Sequence, residues 1–195
     1  TGRELTLGIR PPVERRKRVI VAGAGPAGMK AAAVLASRGH EVVVHEAEAQ
    51  LGGQAKLAQL LPGRAEFGGI ITNLAREMEL AGVTVRRNSP VTRALVEAEC
   101  ADAVIIATGG RPRRPSIEGG EGTHLVDAWQ VLTGQANVGA NVLIADWKAD
   151  WIGLGIAEKL ARDGCNVTLC VEGLFAGETI HGYVRDTMVA NLHRL

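Results

Sequence analysis

Three glycines, Gly23, Gly25 and Gly28, stand in a G-x-G-x-x-G spacing, and a carboxylate, Glu46, follows 23 positions after the first of them. Residues of these types at this spacing can hold a dinucleotide. Gly23 permits a tight turn out of a strand. Gly25 lets the backbone approach a pyrophosphate with no Cβ in the way, and Gly28 lets a helix pack close to the strand. Pro26 and Ala27 open that helix, where the N–H that proline lacks costs little. The helix N-terminus offers free N–H groups and a partial positive charge to phosphate. Glu46, with Ala47 after it, can accept hydrogen bonds from both hydroxyls of an adenosine ribose, and would repel the 2′-phosphate of NADP. The alternative is a glycine-rich turn with an unrelated surface glutamate.

Two more glycine pairs extend the candidate site. Gly52 and Gly53, followed by Gln54, come shortly after Glu46, where a loop backbone can approach the cofactor. Ala107, Thr108 and Gly109 end an apolar run, and ligands of open parallel sheets lie at the carboxyl ends of strands. A flexible loop and a plain strand-ending turn are the plainer readings of these two segments.

The elements that must position these residues can be read from the surrounding pattern. RVIVAGAG is a short Val/Ile run stopped by glycine, which predicts a buried parallel strand. A helix is expected from Pro26 to Arg38, stopped by Gly39, and a strand from Glu41 to His45. The context of the first glycine motif is therefore strand, helix, strand. Further on, a helix is expected from Glu66 to Leu80, with strands at Val83–Arg87 and Val91–Val96 around the turn Asn88-Ser89-Pro90. A buried strand is expected at Ala103–Ala107, then a charged surface loop over 111–122. A short helix at Val126–Leu132, a strand at Asn141–Ala145, a helix at Ile152–Asp163 and a strand at Asn166–Val171 make a second β-α-β. The predicted class is α/β: a Rossmann-like FAD/NAD(P)-binding domain with the start of a second, inserted Rossmann-like domain. The expected division is a linker over 1–17, a first domain over 18–136 and a partial second domain over 137–195.

Composition narrows the function classes. With 46% hydrophobic and 22% charged residues and a net charge of +1, nothing points to nucleic acid or a membrane surface. No apolar run reaches the length of a transmembrane helix, and the polar, basic start is unlike a signal peptide. Cys100, Cys165 and Cys170 form no C-x-x-C pair and no cluster spacing, so they read as reduced, partly buried thiols of a cytoplasmic protein. A start at Thr1 and an end at Leu195 that closes no predicted element suggest a piece of a longer polypeptide. Removal of a leader is the alternative account of the start.

VIVAGAGPAGMKAA, EVVVHEAEAQLGGQ and ADAVIIATGGRPRRP together resemble the flavin and pyridine-nucleotide disulfide reductase superfamily. TGRE, LGGQAKLAQLLPGRAEF and VTVRRNSPVT resemble, within it, the C-terminal part of the dienoyl-CoA reductase, trimethylamine dehydrogenase and N-methylproline demethylase group. The resemblance covers nearly the whole chain. It implies FAD, or ADP in its place, on the motif positions Gly23, Gly25, Gly28, Glu46, Gly52, Gly53 and Gly109. It puts Val91 near the adenine, and Gln54 and Arg64 on the side of the flavin ring. It also implies an N-terminal barrel with FMN and a [4Fe-4S] centre, both outside this chain. In that group a small-molecule substrate is oxidised or reduced, electrons pass to an acceptor, and the full-length protein is expected to be a homo-oligomer.

The second β-α-β departs from the motif. ADWKADW stands where a glycine turn is expected, so Trp147, Trp151, Asp146 and Asp150 occupy the place of NAD(P) phosphates. Gly153 and Gly155 fall too far into the predicted helix to serve. This resembles the demethylase branch and implies a lost second site, unless another turn binds NAD(P). The leading expectation is the nucleotide-binding portion of an amine dehydrogenase or N-demethylase with no catalytic residue of its own. The rivals are an NAD(P)H-dependent dienoyl or enoyl reductase and a non-catalytic ADP-holding scaffold.

Overall fold

The strand β1 (Arg18–Ala22) is almost wholly buried, as its Val and Ile content requires. In this computed structural model, which describes residues 13–121 and 124–195, it is the second-from-edge strand of a parallel sheet. The order is β3-β2-β1-β4, with β2 at Glu41–His45, β3 at Thr84–Arg86 and β4 at Ala103–Ile106. Helix α1 (Pro26–Ser37) buries Gly28, Met29, Ala32 and Ala33, a face small enough to lie close on β1 and β2. A one-turn helix α2 (Ala55–Ala58) precedes α3 (Phe67–Leu80), which adds Ile71, Leu74 and Met78 to the same core at helical spacing. Lys30 and Glu77 tie α1 to α3 at 2.6 Å.

Three expectations need correction. Val91–Val96 is not a strand: α4 (Arg93–Ala98) begins there, because the Thr92 Oγ1 accepts the Leu95 N–H and Ala, Leu and Glu then favour helix. β4 is not buried. It is an edge strand, and Ile106 is 79% exposed. The cysteines are all free, but Cys100 and Cys170 are exposed and only Cys165 is partly buried, against the core of the second half. The expected linker lies outside the described residues as far as residue 12, as does the TGRE start.

Contacts divide the chain into two units. The first holds the described part of Thr1–Lys56 with Phe67–Gly110, and the second holds Leu57–Glu66 with Arg111–Leu195. The division after Gly110 differs from the expected one after 136. Helix α5 (Ala128–Leu132), capped by Asp127 and Gln130, puts Ala128, Val131 and Leu132 on the core of the second unit. That core is Leu61, Ile156 and Leu160, under the parallel pair β5 (Asn141–Asp146) and β6 (Asn166–Val171). Helix α6 (Trp151–Arg162) links the pair, and α7 (Gly182–Leu192), which the sequence pattern did not announce, packs on α6. Among the described residues no helix is long and apolar enough to cross a membrane, and no cluster of three His, Cys, Asp or Glu could hold a metal.

A buried polar network ties β2 to the segments after β3. The His45 Nδ1 lies 2.8 Å from the Ser89 Oγ, and its Nε2 lies 3.4 Å from the Glu99 carboxylate. Arg18 and Arg86 both donate to Glu99. Burial holds His45 below its ordinary 6.5, against the pull of Glu99 and with help from Arg86. Burial works to raise Glu99, but the Arg18 hydrogen bond and the charges of Arg86, His45 and Arg18 hold it below its ordinary 4.5. Both groups are therefore harder to protonate folded than unfolded. Their contribution is full above the unfolded values and is lost as pH falls through the folded ones. Acidification from about pH 7 to about pH 5 should lower the urea midpoint, and His45→Gln should flatten that slope. An unchanged slope in His45→Gln would show that the histidine takes no part.

Candidate nucleotide-binding site

The site is built at the carboxyl ends of β1, β2 and β4. Gly23 follows β1 with φ +100°, and its N–H donates to the His45 carbonyl at 2.8 Å. A Cβ there would stand 2.6 Å from the Ala107 carbonyl oxygen, so both conformation and space demand glycine. Gly28 is the third residue of α1, and its Cβ would come within 2.0 Å of the Gly23 carbonyl oxygen and 3.1 Å of the Ala107 Cβ. This is where α1 rests on the turn. Gly25 is different, because a Cβ on it would meet nothing within 4 Å. It is the N-cap of α1 and supplies no side-chain cap, so the Ala27 and Gly28 N–H groups of the first turn remain available to an anion.

Glu46 is buried beside this turn. The Ala24 N–H donates to its Oε2 at 2.7 Å, and the Glu48 N–H donates to its Oε1 at 2.9 Å. Its backbone is held on both sides, by the Arg86 carbonyl at 2.8 Å and the Ser89 N–H at 2.8 Å. Each carboxylate oxygen keeps a further lone pair, which suits the two neighbouring hydroxyls of a ribose. Ala47 follows, exposed.

The loop after β2 returns to the same place. The Gly52 N–H donates to the Ala24 carbonyl at 2.8 Å, and a Cβ on Gly53 would lie 3.1 Å from the Gly25 Cα. The Gln54 Nε2 donates to the Gly110 carbonyl at 3.2 Å, closing the loop onto the Thr108-Gly109-Gly110 turn. Ala107 is fixed by its N–H on the Ala22 carbonyl at 2.8 Å.

The structure thus brings together Gly23, Gly25, Pro26, Ala27, Gly28, Glu46, Gly52, Gly53, Gln54, Ala107, Thr108 and Gly109. Val91 is half-buried, two residues beyond the Ser89 that holds Glu46. Arg64 belongs to the second unit, its guanidinium 5.4 Å from the centre of the Trp151 ring and its Nη2 3.7 Å from the Met188 Sδ. Ala24 and Ser89 were missed. Ala24 acts through its backbone, and Ser89 reads in the sequence only as a turn residue.

The geometry agrees with what comparison finds. The family model for pyridine nucleotide-disulphide oxidoreductase matches residues 17–173. The chain is 41% identical over 170 residues to a probable N-methylproline demethylase of Rhizobium meliloti, covering 87% of this chain and 25% of that one. It is 33% identical over 191 residues to an N,N-dimethylglycine/sarcosine dehydrogenase of Chromohalobacter salexigens, covering 95% and 28%. Among solved structures, the 6-hydroxypseudooxynicotine amine oxidase of Pseudomonas geniculata N1 superposes with a TM-score of 0.88 at 26% identity, over 99% of this chain and 31% of that one. The chain spans about a quarter of the length of the curated relatives it matches. Its Rossmann-like α/β sheet, its glycine turn and these matches place it in one group: the chain belongs to the pyridine nucleotide-disulphide oxidoreductase family, a family of flavin-dependent oxidoreductases.

Proposed function

We propose that this chain holds the ADP half of FAD in its first unit, as the nucleotide-binding portion of an amine dehydrogenase or N-demethylase. The observation that carries the reading is the Glu46 carboxylate, locked by two N–H groups beside an α1 N-terminus over which Gly25 leaves open space. The residues fit the group: a side chain at Gly25 would fill the cradle, and the Ala27 and Gly28 N–H groups face an anion with no side-chain cap in the way. Gly53 and Gly109, both with positive φ, would let two further loops come close to the nucleotide. When bound, the flavin would supply the means of passing reducing equivalents between a small-molecule substrate and an electron acceptor. The chain's own residues bind and orient it.

The whole protein would then carry FMN and a [4Fe-4S] centre outside this chain, act in the cytoplasm as a homo-oligomer, and engage neither nucleic acid nor membrane. The similarity to an N-methylproline demethylase and a dimethylglycine/sarcosine dehydrogenase supports an N-methylated amine or amino acid as substrate. Denaturing the purified full-length protein and identifying the released nucleotides tests this. FAD together with FMN is the expected result. ADP alone would make this portion a scaffold, and NAD(P)H oxidation by the intact protein would make it a reductase of the same architecture.

A further inference from the structure

The loop between β2 and α2 supplies the donor that fixes one oxygen of Glu46, yet residues 47–51 belong to neither strand nor helix. Within this loop the Glu48 N–H donates to the Glu46 Oε1 at 2.9 Å. No ladder of backbone bonds sets the direction of that N–H, so other contacts must hold Glu48 in place. One hold is the Glu48 carbonyl, which accepts the Asn88 N–H at 3.2 Å.

Lys56, on α2, is the second hold. Its Nζ donates to the Glu48 carboxylate and, at 3.5 Å, to the Gln50 carbonyl. A surface ion pair usually contributes little, because two long side chains must be ordered to make it. Here one of the two is largely ordered already. The Lys56 side chain is 22% exposed, against 67% for Glu48. Its stem lies beneath Gly52, where a Cβ would stand 3.0 Å from the Lys56 Cγ. The Gly52 N–H donates to the Ala24 carbonyl at 2.8 Å, and the Ala24 N–H donates to the Glu46 Oε2 at 2.7 Å. These contacts close a ring within the first unit. It runs from one Glu46 oxygen through Ala24, Gly52, Lys56 and Glu48 back to the other Glu46 oxygen.

We propose that Lys56 is a positioning residue for nucleotide binding: by pinning Glu48 it keeps the Glu48 N–H on the Glu46 carboxylate, and so sets how well that carboxylate receives a ribose. The inference rests on the ribose role given to Glu46 and adds a residue that acts through another. Without the ammonium group the Glu48 carboxylate returns to water and the backbone of 47–51 gains freedom. The Glu46 Oε1 then shares its donor with solvent. The Asn88 and Ala24 bonds remain, so the effect is moderate, about three- to fivefold in affinity.

Calorimetric titration of the full protein, freed of its own nucleotide, with ADP and with 2′-deoxy-ADP reads this effect. Lys56→Met keeps the stem beneath Gly52 and removes the charge. It should bind ADP about three- to fivefold more weakly than the parent, and 2′-deoxy-ADP less than about twofold more weakly. A loss concentrated on the ligand with both hydroxyls marks an effect carried by Glu46, whereas a general loosening of the loop would weaken both alike. Lys56→Arg should restore most of the affinity. Glu48→Gln, which keeps the N–H and removes the carboxylate, should match Lys56→Met, and the two changes together should be no worse than either alone. Equal weakening toward both ligands, or none in Lys56→Met, would overturn the proposal. So would no restoration in Lys56→Arg, or losses that add in the doubly changed protein. A parent that does not bind ADP, or does not prefer it to 2′-deoxy-ADP, would instead sink the ribose role of Glu46, and this proposal with it.

Discussion

Gly28→Ala should remove a large part of the stability of the first unit, while Gly25→Ala three positions earlier should barely be felt. The methyl group added by Gly28→Ala would lie 2.0 Å from the Gly23 carbonyl oxygen, about an ångström inside the closest real contacts. Both partners are backbone, so no rotamer change relieves the overlap, and the Ala107 Cβ at 3.1 Å closes the other direction. Helix α1 would have to lift from the sheet, and with it go the contacts of Met29, Ala32 and Ala33 with Val42 and Val44. Ordinary overpacking costs about 1–3 kcal/mol. Here the helix itself must move, so a loss above about 4 kcal/mol is expected, a large part of the roughly 5–15 kcal/mol that holds a domain folded. Gly25→Ala meets nothing within 4 Å and should stay within about 0.5 kcal/mol of the parent. Urea denaturation of the two variants reads the difference. A Gly28→Ala protein within about 1 kcal/mol of the parent would mean that the α1–β1 approach is not what the glycine serves.

That contrast also shows what could be read from the sequence. The glycine motif gives Gly23, Gly25 and Gly28 their separate roles because each role is set by the local path of a strand-turn-helix, which a short stretch encodes. Glu46 is legible for the same reason: it ends the next strand of the same unit. What the sequence hid depends on partners distant along the chain. Val91–Val96 has the composition of a strand, but a single hydroxyl, on Thr92, caps a helix there. The exposure of Ile106 follows from β4 being at the sheet edge, which pattern alone does not disclose. Arg64, which the resemblance puts on the side of the flavin ring, lies against Trp151 and Met188, partners distant along the chain. Gly153 is the third residue of α6, as Gly28 is of α1, and not too deep in its helix as the sequence suggests, because the N-cap at Asp150 fixes where α6 begins.

Glu46→Ala should weaken ADP binding by about two to three orders of magnitude and erase the preference for a 2′-hydroxyl. The carboxylate oxygens are held in place by the Ala24 and Glu48 N–H groups, and each keeps acceptor capacity for a ribose hydroxyl. A hydrogen bond to a charged group contributes about 1.5–3 kcal/mol, and two of them give about 3–4 kcal/mol once water competes. That corresponds to the stated loss in affinity. The fold should survive, because water entering the vacated space can serve the Ala24 and Glu48 N–H groups. Glu46→Gln keeps one acceptor oxygen but turns an NH2 toward the other N–H, and should lose about tenfold. Calorimetric titration with ADP and with 2′-deoxy-ADP separates binding from positioning. The parent should prefer ADP by about tenfold or more, and Glu46→Ala should bind the two alike. If both proteins discriminate equally, Glu46 serves only to brace the Gly23–Gly28 turn through Ala24, and the ribose is recognised by other groups.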